Sequence, residues 1–364
     1  MAAGDLAAGK MAAGNTAAEN AIPTIDVSPL RDGSAKDKRE VARQIDAACV
    51  DTGFFIVASH GIAQNLIETA RARAIDFFAL PVEEKMKVQR PPAKISRGYN
   101  WLGDRSVAYS MGQVAPPDIQ EAFAFGPERT ADLASRLDAT SAQMYAPNIW
   151  PERPHDFKAT MLAYYDAMQG LASDVLRAMA MALAVDEAYF AEKFDHQASV
   201  VRIIRYPAVK EPPLPGQLRA GAHTDYGAMT FVRGDDVPGG LQVKHRNGGW
   251  IDVHIPRDGF CCNIGDLLMR WSNDRWVSTL HRVAVPPPDA VPTDRISLVF
   301  FQYPNPDAVI RCFPSCVGAA EKYPPITTAE HYLGKLMKAG HSRLDADAKV
   351  ALSGGAQREA QAAH

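Results

Sequence analysis

Val200-Val201-Arg202-Ile203-Ile204-Arg205-Tyr206-Pro207 opens the part of the chain where the texture of the sequence changes. β-Branched and aromatic residues crowd into one short run that a proline closes, as in a strand. Similar runs follow at Ala228–Val232, Leu241–Lys244, Trp250–Val253, Phe260–Ile264, Thr279–Val285 and Ile296–Tyr303. Between them, Asn247-Gly248-Gly249 and Asn273-Asp274 fall where hairpin turns are expected. Short strands at about ten-residue spacing predict a closed or sandwiched antiparallel core, such as a jelly roll.

Upstream the periodicity is helical. Lys36 to Val50 places Val41, Ile45 and Cys49 at four-residue intervals, which is the spacing of one helix face. Ile62–Leu80, closed by Pro81, and Phe157–Ala184 are further helix candidates, whereas Pro23–Val27 and Phe54–Ala58 are strand candidates. The expected architecture is α+β, with a mainly helical N-terminal region over 21–195 and a jelly-roll core over 196–310. A C-terminal helical extension is expected over 311–341, with a helix at Thr327–Met337 that starts from a threonine cap. Residues 1–20 repeat Ala-Ala-Gly three times and carry too little apolar bulk to pack, so they read as a disordered leader; 342–364 reads as a polar tail.

A chain of 364 residues buries roughly three quarters of its unfolded surface, so it needs neither a disulfide nor a metal merely to fold. Any metal here serves chemistry. The 39 basic and 42 acidic residues leave a net charge of −3 with no basic run, which argues against a nucleic-acid partner. No apolar stretch is long enough to span a membrane, and the Ala/Gly-rich start lacks the apolar block of a signal peptide; a cytoplasmic, membrane-free protein is expected. The five cysteines form no Cys-x-x-Cys pair, so they read as reduced thiols, and Cys261 and Cys262 must face opposite sides of one strand. The sequence carries no signal for oligomeric state.

Chemistry concentrates in Gly221-Ala222-His223-Thr224-Asp225, read as the start of a strand. Alternation then puts His223 and Asp225 on one side, a two-armed clamp for a cation. His281, 56 residues after Asp225, is placed to supply a third ligand from across the β-core. Two imidazoles and one carboxylate on one face of a metal form the facial triad of non-haem Fe(II) oxygenases, which leaves coordination positions open. Arg295 and Ser297 share a face of the last main strand, and the guanidinium fork there matches a carboxylate. The same parity brings Phe301 to that face as a candidate substrate wall. His60, His245 and His254 have no partners at metal spacing.

The order His-x-Asp, then His, then Arg-x-Ser resembles the 2-oxoglutarate- and iron(II)-dependent oxygenases of the isopenicillin N synthase-like branch. The resemblance extends to Ile22–Asp26, Gly53–Val57 with Ser59-His60-Gly61, Arg97-Gly98-Tyr99, Pro147–Pro151, Asp118–Phe123, Gly239–Val243 and Asn263–Asp266, covering about 22–340. It implies a double-stranded β-helix that binds Fe(II) through His223, Asp225 and His281. It further implies 2-oxoglutarate as co-substrate with O2, its distal carboxylate held by Arg295 and Ser297 with help from Tyr206. Arg97 and Tyr99 lie in a segment that borders substrate in relatives. The implied activity is a dioxygenase that hydroxylates, desaturates or cyclises a small molecule in specialised metabolism after hydrogen-atom abstraction, with release of succinate and CO2. Ile204 departs from the plant-type pattern, which has Asn there; the run resembles isopenicillin N synthase, so an oxidase that uses no 2-oxoglutarate stays open. A zinc hydrolase or a non-catalytic jelly-roll binding protein is the remote alternative.

Overall fold

The computed structural model describes residues 22–338, apart from 92–96, 105, 114, 129 and 319. The expected leader and polar tail lie outside the described residues. In chain order the first strands are β1 (Thr24–Asp26), β2 (Phe54–Ala58), β3 (Gly98–Asn100), β4 (Glu121–Phe125), β5 (Val200–Tyr206) and β6 (Ala220–His223). They are followed by β7 (Met229–Gly234), β8 (Leu241–Lys244), β9 (Trp250–Asp252), β10 (Phe260–Ile264), β11 (His281–Val283) and β12 (Arg295–Gln302). The larger sheet runs β1-β2-β10-β7-β12-β5-β4-β3, and the smaller one β6-β11-β8-β9.

Alternation along the strands gives the larger sheet two unlike faces. Phe123, Phe125, Val201, Ile203, Leu298 and Phe300 join the main hydrophobic core with helices Gln64–Phe78 and Phe157–Ala182. Their neighbours Ala122, Ile204, Tyr206 and Val299 point the other way and pack with Ala220 and Val283 of the smaller sheet. Phe54, Ile56 and Cys261 likewise meet Leu241 and Val243 across the gap, while Cys262 sits in the helix-side core. The helices therefore plug one face of the larger sheet, and the other lines the interior of a roll. Phe77, Phe123 and Phe157 contact one another at 5.1–5.3 Å between ring centroids and anchor the helix layer.

Helix Ala35–Asp51 starts at Ser34, which forms a capping box with Asp37. The chain then passes straight into β2 through Gly53, whose φ of +72° suits only glycine and where a Cβ would lie 2.0 Å from the Val277 carbonyl oxygen. Thr327 caps the helix over 328–338 in the expected way, exchanging hydrogen bonds with Glu330. Among the described residues, no helix is long and apolar enough to cross a membrane.

Three features differ from the sequence reading. Beside the expected β1 and β2, the mainly helical N-terminal region also contributes β3 and β4 to the larger sheet. Asn273-Asp274 turns no hairpin; both residues adopt left-handed φ values of 54° and 63° just beyond helix Asp266–Trp271. The His-x-Asp motif also ends a strand rather than starting one, with His223 the last residue of β6 and Asp225 in the following loop.

Candidate metal centre and active site

β6 and β11 lie side by side in the smaller sheet, and His223 and His281 are register partners across them. A bulge follows at once, since Val283 pairs with Ala220, so three steps along β6 match two along β11. An irregularity of this kind re-aims a side chain without ending the sheet. The Gly221 amide at the bulge donates to buried Asp118, which also accepts from the Ser106 hydroxyl and the Val107 amide. Burial pushes the Asp118 carboxyl above its usual range against the pull of these donors.

The result is a converging triad. The imidazole centroids of His223 and His281 stand 4.4 Å apart, and each Nε2 lies 3.7 Å from the same Asp225 oxygen, Oδ1. Candidate ligand atoms of all three residues fall within 4.8 Å of one another. Each Nδ1 is taken up by a main-chain carbonyl two residues earlier, Gly221 at 2.8 Å and Thr279 at 3.0 Å. A carbonyl only accepts, so a neutral ring carries its proton on Nδ1 and turns the Nε2 lone pair toward the centre. The other Asp225 oxygen, Oδ2, accepts from the Asn263 amide at 2.8 Å on β10, while Oδ1 faces the two imidazoles. Two imidazole nitrogens and one carboxylate oxygen are a donor set that fits a divalent iron with open positions.

The electrostatics favour this protonation pattern. Burial, then the neighbouring His281, holds the His223 pKa down at about 4. For Asp225, burial alone would raise the pKa, but the two imidazoles and Asn263 outweigh it and keep the carboxyl below its ordinary range. A pH prediction follows for the metal-free protein. The unfolded chain takes up a proton at His223 near 6.5 and the fold resists it, so this contribution is complete above pH 6.5 and drains away as pH falls toward 4. Calorimetric melting from pH 7.5 to 4.5 should show a decline of up to about 3 kcal/mol from this group. His223→Ala should flatten that part of the curve; an unchanged slope would contradict the account.

A second polar cluster lies farther along the same interior face. Arg295 opposes Tyr206 in the register of β12 and β5, and Ser297 opposes Gly234 of β7. All three side chains are buried, with the Arg295 guanidinium 5.5 Å over the Tyr206 ring and donating to the Ser297 hydroxyl. Its Nε has no hydrogen-bond partner among the described residues. A Cβ on Gly234 would come within 2.2 Å of the Arg295 Nη2, so only glycine leaves room for the guanidinium. Burial lowers the Arg295 pKa and raises that of Tyr206. A buried cation with an unused donor fits an anionic ligand such as a carboxylate.

The remaining sequence candidates divide. Phe301 lies on the interior face, opposite Val200 and Thr230, and packs against the cluster of Ile204, Tyr206 and Val299. Tyr99 lies on the other face of the sheet, edge-on to Phe77 with its hydroxyl donating to Glu121, which also pairs with Lys85 and Arg205. Arg97 is buried and donates to the Met144 carbonyl. His60 accepts from the Ile62 amide and packs on Phe260. Sequence reasoning missed Asn263, although an amide inside Phe-Cys-Cys-Asn-Ile is a visible sign of a polar interior. It also missed Arg219, buried near Arg295 and held by the carbonyls of Pro238, Gly239 and Thr293.

Comparison with known proteins gives concordant findings. Residues 22–153 match the family described as non-haem dioxygenase in morphine synthesis N-terminal, and residues 196–304 match the 2OG-Fe(II) oxygenase superfamily. The chain is 35% identical over 326 residues to the 2-oxoglutarate-Fe(II) type oxidoreductase hxnY of Emericella nidulans, covering 86% of this chain and 89% of the relative. It is 37% identical over 317 residues to homoarginine-6-hydroxylase 2-ODD-C23.1 of Arabidopsis thaliana, covering 84% and 90%. Among solved structures, a full-length Neurospora crassa protein in complex with alpha-KG and thymine superimposes with a TM-score of 0.77 at 33% identity, covering 90% of this chain and 99% of that one.

Proposed function

The chain belongs to the 2-oxoglutarate- and Fe(II)-dependent oxygenases, and from that premise we propose which of its residues carry the reaction. As a dioxygenase of this family it uses Fe(II), 2-oxoglutarate and O2. In this reading His223, Asp225 and His281 hold the iron, and Arg295, Ser297 and Tyr206 hold the distal carboxylate of 2-oxoglutarate. Phe301 bounds the substrate, which is a small molecule; solved relatives bind ligands such as thymine. The observation that carries the assignment is the single Asp225 oxygen, Oδ1, that stands 3.7 Å from both imidazole Nε2 atoms.

When bound, iron and the keto acid would supply the oxidising power: one O2 and one 2-oxoglutarate yield succinate and CO2, and the second oxygen atom either enters the substrate on hydroxylation or leaves as water on desaturation or ring closure. The protein's own share is positional. The carbonyls of Gly221 and Thr279 fix both rings, Asn263 fixes the carboxylate, and the buried guanidinium of Arg295 orients the keto acid from its far end. Apolar neighbours such as Val299 and Ile204 keep water from that interior.

Anaerobic addition of Fe(II) and then 2-oxoglutarate should produce the visible charge-transfer absorbance of a metal-chelated keto acid. No band, together with O2 consumption driven by substrate alone, would instead support the oxidase reading. That alternative is not favoured, because relatives at 35% identity are 2-oxoglutarate-Fe(II) type enzymes and solved neighbours carry alpha-KG.

A further inference from the structure

β6 is an edge strand of the smaller sheet, with β11 on one side only. An amide on the outer flank of such a strand has no ladder partner and needs an acceptor from elsewhere. At Gly221 that acceptor is Asp118, three residues before the start of β4 in the larger sheet. Asp118 Oδ1 takes the Gly221 amide at 3.0 Å and the Ser106 hydroxyl at 2.9 Å. Its Oδ2 takes the Val107 amide at 2.8 Å and the Gln120 side-chain amide at 3.0 Å. A buried carboxylate that accepts four hydrogen bonds is held in one orientation.

What depends on Gly221 is a ligand of the triad. The Gly221 carbonyl accepts from His223 Nδ1 at 2.8 Å, so the residue whose amide Asp118 holds is also the residue that fixes the ring. His281 has firmer support, since β11 is flanked by β6 and β8, whereas His223 ends an edge strand and is the more exposed of the two. The packing at Gly221 is tight as well. A Cβ there would lie 2.8 Å from the Ala108 Cβ and 3.0 Å from the Ser106 Oγ, so the short helical turn Val107–Met111, which Ser106 caps, abuts the strand at this residue. Asp118 ties down that turn too, through Ser106 and Val107. One carboxylate therefore joins the approach to β4, the turn and the edge strand, two residues from His223.

We propose that Asp118 is a positioning residue of this enzyme: by holding Gly221 it sets the plane and tautomer of the His223 imidazole, and it does so for His223 and not for His281. The proposal rests on the reading of His223, Asp225 and His281 as the iron site. Asp118 acts on turnover only through the orientation of one ring.

The test reads the two rings separately, in protein isotope-labelled at the histidine nitrogens. In the metal-free protein near neutral pH, long-range nitrogen–proton NMR spectra report which ring nitrogen carries the proton. His223→Gln and His281→Gln proteins assign the two rings by the loss of their signals. Both wild-type rings should be protonated on Nδ1. In Asp118→Ala the His223 ring should spread over both tautomers while His281 keeps its own, and Fe(II) affinity should fall about 10- to 100-fold. Asp118→Asn, a milder change in case the alanine protein fails to fold, must turn its NH2 group toward either the Gly221 or the Val107 amide, and should shift the His223 ring in the same direction. Gly221→Ala, which leaves Asp118 intact but forces the turn away from the strand, should reproduce the one-sided change. An equal change in both rings would mean a general loosening of the fold and would overturn the proposal. So would a His223 ring that keeps its tautomer in the Asp118 variants, or unchanged Fe(II) affinity. Wild-type protein that takes up no Fe(II) would fault the iron-site reading instead, and the tautomers would still decide the role of Asp118.

Discussion

Asp225→Ala protein is expected to lose Fe(II) affinity and turnover by well over 100-fold while remaining folded. Removal of a residue that merely orients a ligand typically costs about 10- to 100-fold in metal affinity or activity. Asn263→Ala is the local measure of that scale, because it strips Asp225 Oδ2 of its amide partner and leaves Oδ1 in place. Asp225→Ala removes the only carboxylate of the triad and should exceed it. Asp225→Asn keeps the shape and loses the charge, so it should fall between the two. Anaerobic Fe(II) titration followed by the keto-acid band measures each step, and circular dichroism checks the fold. Equal metal affinity in wild type and Asp225→Ala would remove the triad from consideration.

The second large effect belongs to the far end of the keto acid. Truncating one member of a buried charge pair costs about 2–5 kcal/mol, roughly 30- to 5,000-fold in Kd. Arg295→Met should therefore raise the 2-oxoglutarate concentration needed for the band by that range, with Fe(II) affinity little changed. Arg295→Lys should recover only part of the loss, since an ammonium lacks the planar fork. Gly234→Ala provides an independent route to the same defect: the added methyl group would overlap the guanidinium, 2.2 Å from its Nη2. It should raise KM for 2-oxoglutarate with kcat largely restored at saturation. A Gly234→Ala protein with wild-type KM would mean that Arg295 has room to move, and that this glycine does not shape the anion site.

Much of this was legible in the sequence, for identifiable reasons. β5, β8 and β10 match their expected limits because each is a compact apolar or alternating run bounded by turn residues. The parity of Arg295, Ser297 and Phe301 holds because β12 is regular over eight residues. Asp225 converges with His223 for a different reason from the expected one. The carboxylate leaves the strand and is drawn back by Asn263, a contact 38 residues away that no local period encodes. β3 and β4 are faint in sequence because one is three residues long and the other contains two alanines; they exist through pairing with each other and with β5. Tyr99 illustrates the same limit, since proximity to a substrate-bordering segment says nothing about which face of a three-residue strand a ring takes.

The two histidines belong to the smaller sheet, whereas the carboxylate between them is tethered to the larger one through Asn263. An ion gripped by all three would act as a rivet between the two leaves of the roll, at the rim where β6 stops. Loading the catalyst and fastening that rim then become a single event, and a protein stripped of its iron would be not only inert but also looser at the doorway through which its reactants pass.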